Sequence, residues 1–191
     1  TGAEAGYVAS GASACLLLAA AACVTGLDPG RMARLPDTGG MKNEAVMVRS
    51  QRNFYDHAIR AAGLKIVEVG LPDRYAGAGV RDAEVWEIED AITEKTAAIF
   101  YVADAAAQPP LRDICKLARR RKIPVIVDAA AQLPPQSNLK RFIRDGADLV
   151  ADRVAADADP VALEHVQDPH GVRAFGRGEG PGGTRLEVEV P

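Results

Sequence analysis

Asp128 closes the apolar run IPVIVD, and three alanines, an amide and two prolines follow it in IPVIVDAAAQLPP, residues 123–135. A carboxylate is seldom buried without a partner, so this one must hold something. A second feature with chemical potential is SGASA, residues 10–14, a small-residue turn between the strand-like stretch GYVAS and an Ala/Leu-rich helix. The unpaired N–H groups and positive dipole at such a helix start favour an anion, with Ser10 and Ser13 as further donors. Each feature also has a plainer reading. Ser10 or Ser13 can be an ordinary N-cap, and Asp128 a helix cap or the ion-pair partner of an arginine.

The elements that position these residues alternate regularly. Strands are expected at GYVAS, NEAVMV, LKIVEVG, TAAIFYVA, IPVIVD and ADLV. Helices are expected from Gly11 to near Gly26 and over FYDHAIRAAG, AEVWEIEDAI, LRDICKLARR and SNLKRFIRDG. Continuous apolar strands separated by amphipathic helices indicate an α/β fold with a parallel sheet covered on both faces. Such sheets bind ligands beyond the carboxyl ends of their strands, which is where both Asp128 and the SGASA turn fall. The linkers LPDTGG (Leu35–Gly40) and RYAGAGV (Arg74–Val80) read as surface loops near the mouth of that crevice. Residues 1–150 form one domain. The lysine-free stretch 151–191, with its glycine-rich loop and the alternating run TRLEVEV, reads as part of a small α+β domain.

A phosphate turn and a carboxylate in one crevice suit pyridoxal phosphate. A carboxylate keeps the pyridine nitrogen protonated, and the protonated ring is the electron sink that stabilises a substrate carbanion. The alanines after Asp128 then leave room for the flat ring, and Gln132 donates to a ring oxygen.

Composition narrows the classes further. The 191 residues carry a net charge of −3 with 48% apolar content, which describes a globular protein without a nucleic-acid footprint. The cluster Arg119–Lys122 reads as a helix end, where cations suit the dipole. Cys15, Cys23 and Cys115 are odd in number and form no CxxC pair, so reduced thiols in a cytoplasmic setting are expected. ACLLLAAAACV is shorter than the ~20 residues a membrane span needs and lacks a basic leader, so it reads as a buried helix. The sequence opens without Met and stops on a strand-like run, and the expectation is a fragment or a processed chain.

Over residues 1–150 the sequence resembles the pyridoxal-phosphate enzymes related to bacterial seryl-tRNA selenium transferase, and within them the D-glucosaminate-6-phosphate ammonia-lyase-like branch. The resemblance is carried by TGAEAGYVASGASACLLLAAAACVTG, DPGRMARLPDTGGMKNEAVMVRSQRNFYDHAIRAAG, DRYAGAGVRDAEVWEIEDAITEKTAAI and IPVIVDAAAQLPPQSNLKRFIRDGADLV. It implies the fold type I, aminotransferase-like architecture and a homodimer or higher homo-oligomer with active sites at subunit interfaces. It implies that Ser10, Gly11, Ala12 and Ser13 cradle the cofactor phosphate, that Asp128 pairs with the pyridine nitrogen and that Gln132 lies beside it. The segment RSQRNFYDHA would supply Gln51 over the cofactor and Arg49, Arg52 and His57 as substrate contacts. Gln51 is a departure, because relatives often carry histidine there.

The larger departure follows GADLV. Relatives continue into a Ser-Gly-Gly-Lys-type segment whose lysine forms the Schiff base, whereas this chain continues ADRVAADADPVALEHV, and Lys140 is its last lysine. The expectation is a missing lysine-bearing stretch between Val150 and Ala151. The function implied is a lyase that carries out β-elimination and deamination on a small amino acid or amino sugar acid. The alternatives are a selenium or sulfur transferase acting on seryl-tRNA, which the absence of a basic extension argues against, and an inactive relative without the lysine. Neither nucleic acid, membrane nor metal is an expected partner.

Overall fold

The apolar runs fold as strands β1 (Glu44–Val48), β2 (Lys65–Val69), β3 (Thr96–Val102), β4 (Val125–Asp128) and β5 (Leu149–Ala151). All five pair in parallel in the order β2-β1-β3-β4-β5. The computed structural model describes residues 2–70, 82–152, 173–177 and 185–189. Beyond the parallel sheet, β6 (Arg173–Arg177) pairs antiparallel with β7 (Arg185–Glu189). The loop RYAGAGV and most of the expected small domain lie outside the described residues.

Helices cover the two faces of the sheet unequally. On one face, α1 (Ala12–Thr25) and α3 (Asp56–Ala61) bring Leu16, Ala20, Val24 and Ile59 against Met47, Phe100, Ile126 and Ala151. A six-residue helix α2 (Pro29–Arg34) follows α1. On the other face, α4 (Val85–Asp90), α5 (Leu111–Arg121) and α6 (Asn138–Asp145) pack Ile88, Ile114, Leu117 and Phe142 on Val46, Ile99, Tyr101, Val125 and Val127. Burial on both faces explains the unbroken apolar strands. Each fully buried Leu, Ile or Phe contributes on the order of 1.5–3 kcal/mol.

The amino ends of the strands are closed by polar side chains. Thr38 Oγ1 donates to Gly63 O at 2.9 Å and accepts from Asn43 Nδ2 at 3.1 Å. Thr93 Oγ1 donates to Glu44 Oε2 at 2.6 Å, and Asp148 Oδ2 accepts from Val125 N at 2.8 Å. Gly63 has φ +94°, and a Cβ there would sit 2.2 Å from Pro36 O, so only glycine fits. The loop LPDTGG is therefore pinned at the amino end of the sheet. It does not lie at the crevice mouth, because its buried Thr38 belongs to the start of β2.

Three further expectations are corrected. GYVAS is not a strand: a strand needs a neighbour for its backbone groups, none of the described strands lies beside it, and Tyr7 and Val8 are 55% and 45% exposed. The helix α1 is where it was expected but is only half buried, with Leu17 and Leu18 facing outward. Helix α2 was missed, although Asp28 caps it by accepting from Gly30 N and Arg31 N, with Pro29 at its first position. The basic run does end α5, where Arg120 and Arg121 meet Glu89 and Lys122 takes the left-handed cap. β5 runs through the Val150–Ala151 join, with Ala151 paired to Asp128.

Candidate functional site

Side chains alternate across a strand, so Asp128 shares the sheet face of Ile126, the face that α1 covers. Helix α1 runs back along this face toward the strand starts. Cys23, near its C-terminal end, is pushed up to about 12 chiefly by burial and next by the charge of Asp148, which precedes β5. The other end of α1, with SGASA, thus points to the carboxyl ends of the strands, on the same face as Asp128. The elements bring the two features of the sequence together there.

Gly11 is the N-cap of α1, with φ +118° and no side-chain capping bond. The plain N-cap reading of Ser10 or Ser13 is thereby corrected. Gly11 O accepts from Ala14 N and Cys15 N, and among the described residues nothing accepts from the N–H groups of Ala12 and Ser13. Ser10, Gly11 and Ser13 are exposed, so this end can receive an anion from solvent.

Asp128 is 6% exposed, and its Oδ1 accepts from Ala130 N at 3.1 Å. Burial raises its pKa, opposed only in part by that hydrogen bond. Among the described residues no cation forms an ion pair with it, and it caps none of the described helices. A buried carboxylate in this state is stabilised by a ligand that brings a positively charged N–H.

The 3-10 turn Arg49–Gln51 follows β1 at the same end of the sheet. Gln51 is 9% exposed and its Oε1 accepts from Val102 N at 3.0 Å, while its Nε2 is buried with no hydrogen-bond partner among the described residues. Arg52 is not open to a substrate. Its guanidinium is engaged by Asp56 and Glu68, and the bond to Asp56 leads the causes that raise its pKa. Arg49 reaches Glu68 at 2.9 Å from a more exposed position. His57 is exposed in the first turn of α3, with Nδ1 3.2 Å from Arg60 Nη2. The partners Asp56 and Glu68 were missed from the sequence, which carries no signal that a strand carboxylate would reach these arginines.

Gln132 Nε2 donates to Ala103 O at 2.9 Å, one backbone step from the Ala103 N that bonds Asp128 O. It also lines a cleft of about 490 Å³ whose walls include Tyr101, Leu111, Arg141 and Phe142. Those apolar walls belong to the α5–α6 side of the sheet, so the cleft is separate from the face that carries Asp128.

Residues 75–142 match the sequence profile of the DegT/DnrJ/EryC1/StrS aminotransferase family. The D-glucosaminate-6-phosphate ammonia lyase of Salmonella typhimurium is 39% identical over 158 residues, which is 78% of this chain and 40% of that protein. A 5'-C-glycyluridine monooxygenase-decarboxylase of a Streptomyces species is 34% identical over 160 residues, 78% of this chain and 37% of that protein. A solved structure of D-glucosaminate-6-phosphate ammonia-lyase superposes with a TM-score of 0.68 at 39% identity, again over 78% of this chain and 40% of that one. The chain spans about 40% of the length of these relatives. The fold is the α/β, parallel-sheet architecture of the fold type I pyridoxal-phosphate enzymes.

Proposed function

We propose that this chain is the large-domain part of a pyridoxal-phosphate-dependent lyase of the selenium-transferase-related group, one that eliminates ammonia from an amino acid or amino sugar acid. The observation that carries the reading is Asp128, a buried carboxylate with a raised pKa and no cation beside it among the described residues, on the sheet face where the open N-terminus of α1 arrives. The 39% identity to D-glucosaminate-6-phosphate ammonia lyase supports the reaction class.

The residues present fit the cofactor. The N–H groups of Ala12 and Ser13, with the hydroxyls of Ser10 and Ser13, would hold its phosphate. Asp128 would hold the proton at the ring nitrogen, and that pairing would draw the carboxyl back to its charged form. Ala130 and Ala131 would keep side-chain bulk away from the ring, whereas Ala129 is buried in the core of the other face and Gln132, committed to Ala103 O, lines the cleft on that side. Arg49 and His57 remain outward-facing for a substrate's carboxylate or phosphate, whereas Arg52 serves to brace the turn beside them. When bound, the cofactor supplies the electron sink for charge developed at the substrate's α-carbon.

Lys140 is exposed in the first turn of α6 and is a poor covalent anchor. A lysine-bearing stretch at the Val150–Ala151 join would interrupt β5, which runs through it, so in this reading the stretch belongs beyond β5. Residues 1–150 then form the cofactor-binding domain and 151–191 part of the small domain, in a cytoplasmic homo-oligomer. Titration of the purified protein with pyridoxal phosphate tests the reading. An absorbance band that saturates and is lost in Asp128→Ala is expected, and borohydride fixes it only where a lysine holds the cofactor. A colourless protein that takes up none of it would sink the proposal.

A further inference from the structure

The Gln51 carboxamide is fixed in one orientation by the sheet itself. Along β3 the N–H groups of Ile99 and Ala103 bond across to Pro124 O and Asp128 O, so that of Val102, an odd number of residues away, points toward β1. β1 has ended at Val48, and the Gln51 side chain takes its place as the acceptor. Only Oε1 can fill that position, so Nε2 is fixed as the outward atom, a donor and never an acceptor. The turn that carries it is held in turn: Arg52 N donates to Arg49 O, and the Arg52 guanidinium is clamped by Asp56 and Glu68.

A buried N–H without an acceptor is costly, and this one, unmatched among the described residues, lies a single strand away from Asp128, since Val102 is the register partner of Asp128. We infer that Gln51 is a donor-only binding residue, whose Nε2 meets a negatively charged oxygen of the ligand held by Asp128 and takes no part in proton exchange. The inference rests on the cofactor reading above and deepens it. The oxygen belongs either to the ring substituents of the cofactor or to the carboxylate of the substrate.

An imidazole at this position would accept from Val102 N with one nitrogen and titrate near neutrality. The amide does not titrate. Ligand affinity in the natural chain should therefore show no step between pH 5.5 and 7.5 attributable to this position, and Gln51→His should introduce one, a change that a purely structural role would not produce (about two pH units around the ordinary imidazole value).

The test follows the side-chain NH2 signal of Gln51 in a 15N-labelled protein, identified by its loss in Gln51→His. Pyridoxal phosphate alone should move it downfield if the acceptor is on the ring. Movement only after D-glucosaminate 6-phosphate is added assigns the acceptor to the substrate. In parallel, Gln51→Glu and Gln51→Met should weaken binding of the ligand concerned about tenfold, the loss of one hydrogen bond to a charged group, and Gln51→His should retain it within about threefold. An unmoved signal in protein that has visibly taken up both ligands overturns the inference. Failure to take up pyridoxal phosphate at all overturns the cofactor reading instead, so the two failures are distinguishable.

Discussion

The two ends of the sheet are built on opposite terms. At the amino end polar groups find partners within the fold: Thr38 with Gly63 and Asn43, Thr93 with Glu44, and Asp148 with Val125. At the carboxyl end, among the described residues, Asp128 is buried without a cation, Gln51 keeps an unmatched N–H, and the first N–H groups of α1 stand open. One end is organised to be stable and the other to receive something. Polar groups left unsatisfied by the fold are stabilised only when a ligand supplies the complement.

The sharpest way to break the contrast is at Gly63. Gly63→Ala combines a positive φ with a Cβ placed 2.2 Å from a backbone oxygen. It should cost about 3 kcal/mol or more, read as a lower urea midpoint, and leave ligand affinity per folded molecule unchanged. Asp128→Asn should do the reverse. Pyridoxal phosphate affinity should fall at least about tenfold, because a charge-assisted bond is lost. The ligand-free protein should meanwhile melt higher at neutral pH. The sign follows from the raised folded pKa: as pH rises through the unfolded and then the folded value, the native state is deprived of stability, and the penalty is fully present above both. The melting advantage of the variant should therefore close below the ordinary carboxylate range, and an advantage independent of pH would refute this account.

Thr38→Val tests the amino end more gently. It removes two hydrogen bonds and should cost about 1–2 kcal/mol in chemical denaturation with no effect on ligand uptake. The smallest effect concerns the thiols. Burial pushes Cys23 up to about 12 and Cys115 up to about 11, so neither is a thiolate at pH 8. Iodoacetamide should label the buried Cys115 only as fast as the chain unfolds and the half-buried Cys23 slowly, and rapid labelling of Cys115 in the native protein would contradict its burial.

The parallel sheet was legible because its signal is local and repeated. TAAIFYV and VIVD are apolar without alternation, and amphipathic helices such as LRDICKLARR separate such runs. GYVAS has the same local signal and failed, since whether an apolar stretch becomes a strand is decided by a neighbour that no local pattern reveals. The crevice was legible in part. Asp128 announced itself by charge in an apolar run, and SGASA by its small residues before a helix. The state of Arg52 was not, because Glu68 comes to it from another strand across 16 positions of sequence. Gln51 named itself only as a departure from histidine, and its fixed orientation depends on where β1 stops relative to β3.

The strand order carries a consequence for how the chain is assembled. β1 is the earliest strand of the parallel sheet and stands inside it, with β2 on one side and β3 on the other. Once β1 and β2 have formed a seed around α3, each later strand adds to the growing edge on the β1 side: β3 to β1, β4 to β3, β5 to β4. Among the described strands none has to be inserted between two already joined. The described strands can thus be laid down in the order of their sequence, and Asp128 at the end of β4 is set in place only after the central pair can support it.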